Sequence, residues 1–168
     1  MSEISDAVQI IRVGFEGMEI AMKVGSASIG TMQKTMKFIY GMLNFEKSMG
    51  KTSMKQLLMR GGDLQVLEFD KQDLSKVQKL AKKYGILYSV MPDMGREGKV
   101  EVLFHSEASP RVNLLISKLK SDTMSVKSMD KFLEETDDKA LGVFDKFLKK
   151  EKSGNHDVHA EANLDSLI

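Results

Sequence analysis

The sequence has no cysteine, which excludes disulfide scaffolds, zinc knuckles and thiol nucleophiles together. Charge of one sign is lacking too. The 25 basic side chains stand against 24 acidic ones, a net of +1, so overall charge argues neither for nor against a polyanionic partner. No long apolar run is present. The nearest approach to one, MSEISDAVQIIRVGFEGMEIAMKVG, is interrupted by Arg12, Glu16, Glu19 and Lys23. A membrane span needs ~20 largely apolar residues in a row, and a secretory signal needs a basic start with an unbroken apolar stretch. The expectation is a cytoplasmic chain with no membrane insertion. What is there, 168 residues and 18.8 kDa, suits one globular domain, or one with a helical appendage. At that size folding buries roughly 68–70% of the unfolded chain's surface, so the core needs no staple.

Apolar spacing predicts helix in the first third. Ile4, Val8, Ile11, Phe15, Met18 and Met22 follow i, i+4, i+7, i+11, i+14, i+18, one stripe of a 3.6-residue period. Ala7, Gly14, Gly17, Ala21 and Gly25 add a strip of small residues suited to close approach of a second helix. The segment GSASIG (25–30) weakens the pattern, and a second amphipathic stretch runs through Ile29, Met32, Met36, Ile39 and Leu43. A short helix follows between Gly50 and Gly62. Thr52 or Ser53 is its expected cap, Leu57 and Leu58 are its apolar face, and Gly61-Gly62 end it.

The period then changes. LQVLEF (64–69) reads as a strand, and Asp70 as the cap of a helix whose buried face is Leu74, Val77, Ala81 and Tyr84. ILYSVM (86–91) and KVEVLFH (99–105) read as two further strands around the loop PDMGREG. Ser106 or Ser109, with Pro110, opens a helix carrying Val112, Leu115, Ile116 and Leu119. The order β-α-β-β-α with a right-handed crossover places the chain in the α+β class. The expected core is a mixed three-stranded sheet with its third strand between the first two, like a ferredoxin-like unit lacking its last strand. Met129, Phe132 and Leu133, then Leu141, Phe144, Phe147 and Leu148, predict one broken helix or two short ones around ETDD. The expected divisions are an N-terminal helical region 1–48, an α/β unit 49–121, a C-terminal helical segment 122–152 and a flexible tail 153–168. The last five residues, LDSLI, are apolar enough for a docking peptide, with simple fraying as the ordinary alternative.

Charge is spread unevenly along the chain. Residues 47–83 hold nine basic and four acidic side chains, a net of +5, and residues 130–168 hold six and ten, a net of −4. Lys76, Lys79 and Lys83 share a helix face at i, i+3, i+7. Such a face suits phosphates and equally suits an ordinary solvated helix back. Aromatic side chains that would stack bases are not interleaved with it. Gly50-Lys51-Thr52 imitates the end of a P-loop, but position 45 is Phe45 where that motif needs glycine, and the segment before it is helical. His105 ends a strand, where a hydrogen-bonded, partly buried histidine is ordinary; His156 and His159 have metal-ligand spacing without a rigid scaffold. No serine elbow, paired acidic signature or glycine-rich dinucleotide loop occurs, so catalysis, cofactors and metals are not expected. The 13 methionines fit core filling, or a helix face that finds its partner in another subunit through Phe15, Met18, Met22, Met32 and Met36.

Three linked segments carry a resemblance. GKTSMKQLLMRGGDLQVLEF (50–69), LSKVQKLAKKYGILYSVMPD (74–93) and KVEVLFHSEASPRVNLLISKL (99–119), with Gly17, Glu19 and Ala21 upstream, resemble the PcfB family of Gram-positive conjugative plasmids and integrative elements. The likeness covers about residues 7–120 and rests on order and spacing. It implies a non-enzymatic accessory or adaptor protein of conjugative DNA transfer, working with the coupling ATPase and the relaxase of the element; the Met-rich helices add the expectation of a homo-oligomer. It supplies no settled functional residues; the family's basic stretch is matched by Lys51, Lys55 and Arg60. The alternative is a sequence-tolerant DNA-binding module acting at the transfer origin through Lys51, Lys55, Arg60, Lys76, Lys79 and Lys83.

Overall fold

A computed structural model describes residues 9–24, 29–61 and 63–145. Strands β1 (Gln9–Phe15) and β2 (Met18–Val24) form a separate hairpin, followed by helices α1 (Ile29–Ser48) and α2 (Ser53–Met59). Then come β3 (Leu64–Asp70), α3 (Leu74–Lys83), β4 (Tyr88–Val90), β5 (Lys99–His105), α4 (Ser109–Leu119), β6 (Ser125–Ser128), α5 (Met129–Glu135) and α6 (Asp138–Leu141).

The helix expected over the first stripe is instead the hairpin. The same residues carry a second period: Ile11, Val13 and Phe15, then Met18, Ile20, Met22 and Val24, stand at every second position. Glu16 and Gly17 both adopt positive φ, 52° and 78°, the pair of angles a two-residue hairpin turn of matching twist requires. β-Branched side chains and glycine disfavour helix, and the turn decides between the two periods. Arg12 binds Glu19 diagonally across the strands at 3.1 Å. Phe15 and Ile20 are buried, Phe15 edge-on against Tyr40 of α1 with ring centroids 6.1 Å apart.

The main sheet has four strands in the order β4-β5-β3-β6, every neighbouring pair antiparallel. The α+β class holds, and β5 does lie between β3 and β4. Two details differ from expectation. The sheet is antiparallel throughout, and β6 supplies the last strand thought missing, completing the β-α-β-β-α-β order of a ferredoxin-like topology. A run of four residues with Val126 as its one apolar side chain gave no strand signal.

Both faces of the sheet are covered. On one, Leu67, Phe69, Val102 and Phe104 pack against Val77 and Ala81 of α3 and Val112 and Leu115 of α4. On the other, Val66 and Leu103 meet α1, α2, α5 and the hairpin in a cluster that runs from Phe15 to Phe144. The N-terminal and C-terminal helices therefore share one core with the sheet, across the divisions expected at residues 48 and 121. Phe38 sits between Phe132 and Phe144, at 6.4 and 5.3 Å. Met36, Met42, Met54, Met91, Met94 and Met129 are buried in this cluster, so core filling accounts for them. Phe15 and Met36 are thereby withdrawn from any self-association stripe; the side chains of Met18, Met22 and Met32 lie outside the described ones. So do Phe147, Leu148 and everything expected of the tail.

Candidate nucleic-acid interface

α3 is positioned by its apolar face, with Val77 and Ala81 buried and Gly85 ending it at φ 67°. Asp70 does not cap it as expected. Its carboxylate instead accepts from Lys99 Nζ at 2.7 Å and Thr123 Oγ1 at 2.9 Å. Those bonds, Lys99's first, hold the Asp70 carboxyl below its usual range, and the bond to Asp70 raises the Lys99 ammonium above its own.

The opposite face of α3 carries Lys76, Lys79, Lys82 and Lys83, all exposed, with Lys71 one turn upstream. No carboxylate pairs with any of the five among the described residues; Lys83 lies 6.0 Å from the Tyr84 ring. α4 lies alongside and extends the layer. Arg111 donates to Gly85 O at 2.7 Å and bonds Glu107 at 3.2 Å, and Lys118 and Lys120 are exposed. Across residues 71–84 and 106–120, eight basic side chains stand against two acidic ones.

The six basic residues singled out from sequence do not form one surface. Lys76, Lys79 and Lys83 come together on α3. Lys51 and Arg60 flank α2 and Lys55 lies within it; α2 packs on the other side of the sheet through Met54, Leu57 and Leu58. Arg60 is paired at 3.2 Å with Glu107, a carboxylate it shares with Arg111, and Lys55 is half-buried. Lys71, Lys82, Lys118 and Lys120 were not singled out; the first two were visible at i and i+11 along the same helical period.

Gly50-Lys51 is a helix stop. Gly50 has φ 70°, and Lys51 N–H donates to Glu46 O at 2.8 Å, closing the last turn of α1. The Glu46 carboxylate then caps α2, taking the Met54 N–H at 2.6 Å, and its other oxygen accepts from Ser89 Oγ. Neither Thr52 nor Ser53 performs that cap. His105 is structural: Nδ1 accepts from Glu107 N–H at 3.1 Å while Nε2 faces Gly61 O.

One buried ionisable knot exists away from the basic layer. Glu68 and Glu101 are register partners on β3 and β5. Arg96 bonds Glu68 at 2.8 Å, approaches Glu101 at 3.6 Å, and donates to Thr136 Oγ1 at 3.0 Å. Burial, then the hydrogen bond to Glu68, pushes the Glu101 carboxyl up to about 7. Burial acts the same way on Glu68, but bonds from Glu101 and Arg96 outweigh it and leave that carboxyl below its usual range. As a carboxylate, Glu101 leaves Oε2 without a donor; a proton on Glu101 is what joins the two side chains. Among the described residues no group of three or more acidic, histidine or cysteine side chains could hold a metal. No described helix is long and apolar enough to cross a membrane.

Fold and surface thus define an antiparallel α+β protein with one strongly basic helical layer. The chain belongs to a family of proteins of unknown function, DUF3801, whose family model matches residues 22–163. No curated protein and no solved structure matches it.

Proposed function

We propose that this chain is a non-enzymatic adaptor of conjugative DNA transfer, linking the relaxase–DNA complex to the coupling ATPase in the cytoplasm. The resemblance to the PcfB family motivates the transfer role. The observation that carries the DNA-facing half is the layer formed by α3 and α4, where Lys71, Lys76, Lys79, Lys82 and Lys83 have no carboxylate partner among the described residues. Unpaired lysines on a rigid helix keep their full charge for phosphate oxygens and pay little reorganisation when they meet them. No base-reading groove element is required for sequence-tolerant contact, because phosphates alone position a protein on a duplex.

The test is co-purification of the full chain with a cognate coupling ATPase and relaxase, with and without origin DNA. The adaptor reading expects capture of at least one of the two proteins that persists at moderate salt. Capture of neither sinks it. The same lysines favour a second reading, a direct DNA-binding module. That reading expects duplex binding without either partner and its loss in Lys76→Glu/Lys79→Glu/Lys83→Glu.

A further inference from the structure

The two helices of the basic layer offer different chemistry to the outside. Arg111, in the first half of α4, donates to the backbone oxygens of Tyr84 at 3.4 Å and Gly85 at 2.7 Å, just past the end of α3. Each helix returns along the strand before it, and β3 and β5 are antiparallel, so α3 and α4 run antiparallel side by side. Val77 and Ala81 fix the buried side of α3, and Val112 and Leu115 that of α4. At 3.6 residues per turn, the outward side of α3 is then held mainly by Lys76, Lys79, Lys82 and Lys83. That of α4 is held by Asn113, Leu114 and Ser117, and all seven are exposed. One helix presents charge. The other presents short, uncharged side chains, with Arg111 and Lys118 along the flank toward α3 and Lys120 at its end.

Those three α4 side chains have the chemistry of base readers. The Asn113 carboxamide carries donors and an acceptor, and no side chain or backbone group bonds it among the described residues. Ser117 Oγ donates to Asn113 O at 3.0 Å, which leaves its lone pairs open. Leu114 is 47% exposed, the one large apolar side chain that the α3–α4 layer leaves open among the described residues. In the major groove a carboxamide pairs with adenine N6 and N7, and an apolar side chain meets the thymine methyl group. Three carboxylates border this face. Glu107 is shared between Arg60 and Arg111, and Asp73 and Asp122 stand at the end of the layer away from Arg111.

The dimensions agree. A major groove about 12 Å wide admits a helix about 10–12 Å across. With α4 along the groove, a helix packed about 8–10 Å to its side lies over the phosphate strand at the groove's edge. That strand is where the lysines of α3 are needed.

We propose that α4 lies in the major groove of duplex DNA, with Asn113, Leu114 and Ser117 against base edges and the lysines of α3 on the adjoining phosphate strand. The proposal rests on the DNA-facing half of the reading above and adds to it a sequence preference, centred on an adenine at Asn113.

Selection of the full chain against a pool of short duplexes with a randomised centre, followed by sequencing of the bound fraction, tests it. The parent should enrich adenine at one position by about fivefold or more. Asn113→Ala should lose that preference while keeping the parent's salt slope on a single fixed duplex. This variant exchanges an exposed side chain for a better helix former, and a melting curve checks that it stays folded. Lys76→Glu/Lys79→Glu/Lys83→Glu should instead weaken every sequence alike. Duplex binding by the parent without enrichment, or enrichment that Asn113→Ala retains, overturns the groove assignment and leaves the phosphate contacts standing. If the parent binds no duplex in the pool, the DNA-facing reading itself fails and takes the groove assignment with it.

Discussion

Gly41 has no room for a side chain. A Cβ there would stand 2.5 Å from the Phe144 ring and 2.6 Å from its Cβ, and Phe144 is itself held against Phe38. Alanine at a helix interior normally gains ~1 kcal/mol over glycine, but overpacking a closed core costs roughly 1–3 kcal/mol. Gly41→Ala should therefore lower stability in urea denaturation. Phe144→Ala alone should cost about 3–5 kcal/mol, and Gly41→Ala made in that background should cost less than in the parent but still destabilise, because the Cβ that remains at 144 stands 2.6 Å from the added one. A stabilising effect in the intact chain would show that α1 and Phe144 are not in this contact. Glu46 offers a second residue-scale test, because one carboxylate serves two buried donors, Met54 N–H and Ser89 O–H. Glu46→Ala leaves both unmet at about 1–3 kcal/mol each. Glu46→Gln keeps one acceptor oxygen and should lie between the two. A Glu46→Ala chain as stable as the parent removes the staple.

At the scale of elements, β3, β5 and the loop carrying Arg96 are joined by the Glu68–Glu101 knot, and its charge state ties their packing to pH. Glu101 titrates near 7 in the folded chain against an ordinary 4.5, so folding favours its protonated form. The contribution is complete below about pH 4.5 and is lost as pH rises through about 7. Glu68 has the opposite sign, its contribution fading only as pH falls below its ordinary value. Thermal melts should thus show stability declining between about pH 4.5 and 7. Glu101→Gln, which keeps a donor toward Glu68 without titrating, should flatten that decline; a parallel curve would assign the slope elsewhere. The knot was not legible in the sequence, since it depends on a β3–β5 register that only the folded sheet supplies. β3, α3, β5 and α4 were legible because each pairs a clean apolar period with a glycine, proline or loop boundary. The hairpin was misread because Phe15, Met18 and Met22 satisfy both periods, and only the angles at Glu16-Gly17 separate them. The lysine face of α3 was readable from its spacing, whereas its alignment with α4 was not, since Arg111 meets Tyr84 and Gly85 only in the folded layer.

For the whole molecule the two faces of the sheet differ in net charge. α3 and α4 cover one face with eight basic and two acidic side chains over 71–84 and 106–120. Residues 130–145, packed on the other face through α5 and α6, hold six acidic and two basic ones. Residues 29–60, on that same face through α1 and α2, add six basic side chains and one acidic, so the second face is close to neutral and the α3–α4 face is the one that attracts a polyanion. If the five unpaired lysines at 71, 76, 79, 82 and 83 each meet a phosphate, each contributes about −0.9 to the slope of log K against log salt for duplex DNA. The total is near −4 to −5, and affinity falls several-hundred-fold between about 50 and 200 mM salt. Lys76→Glu/Lys79→Glu/Lys83→Glu should flatten the slope by about three of those steps as well as weaken binding. Arg60→Gln should change the slope by less than one of those steps, because Arg60 lies outside α3 and is paired at 3.2 Å with the Glu107 carboxylate, which it shares with Arg111. Anisotropy titrations of a labelled duplex across a salt series measure all three chains. If the triple variant keeps the parent's slope, the phosphates are met by some other surface and the α3–α4 layer has no part in holding DNA.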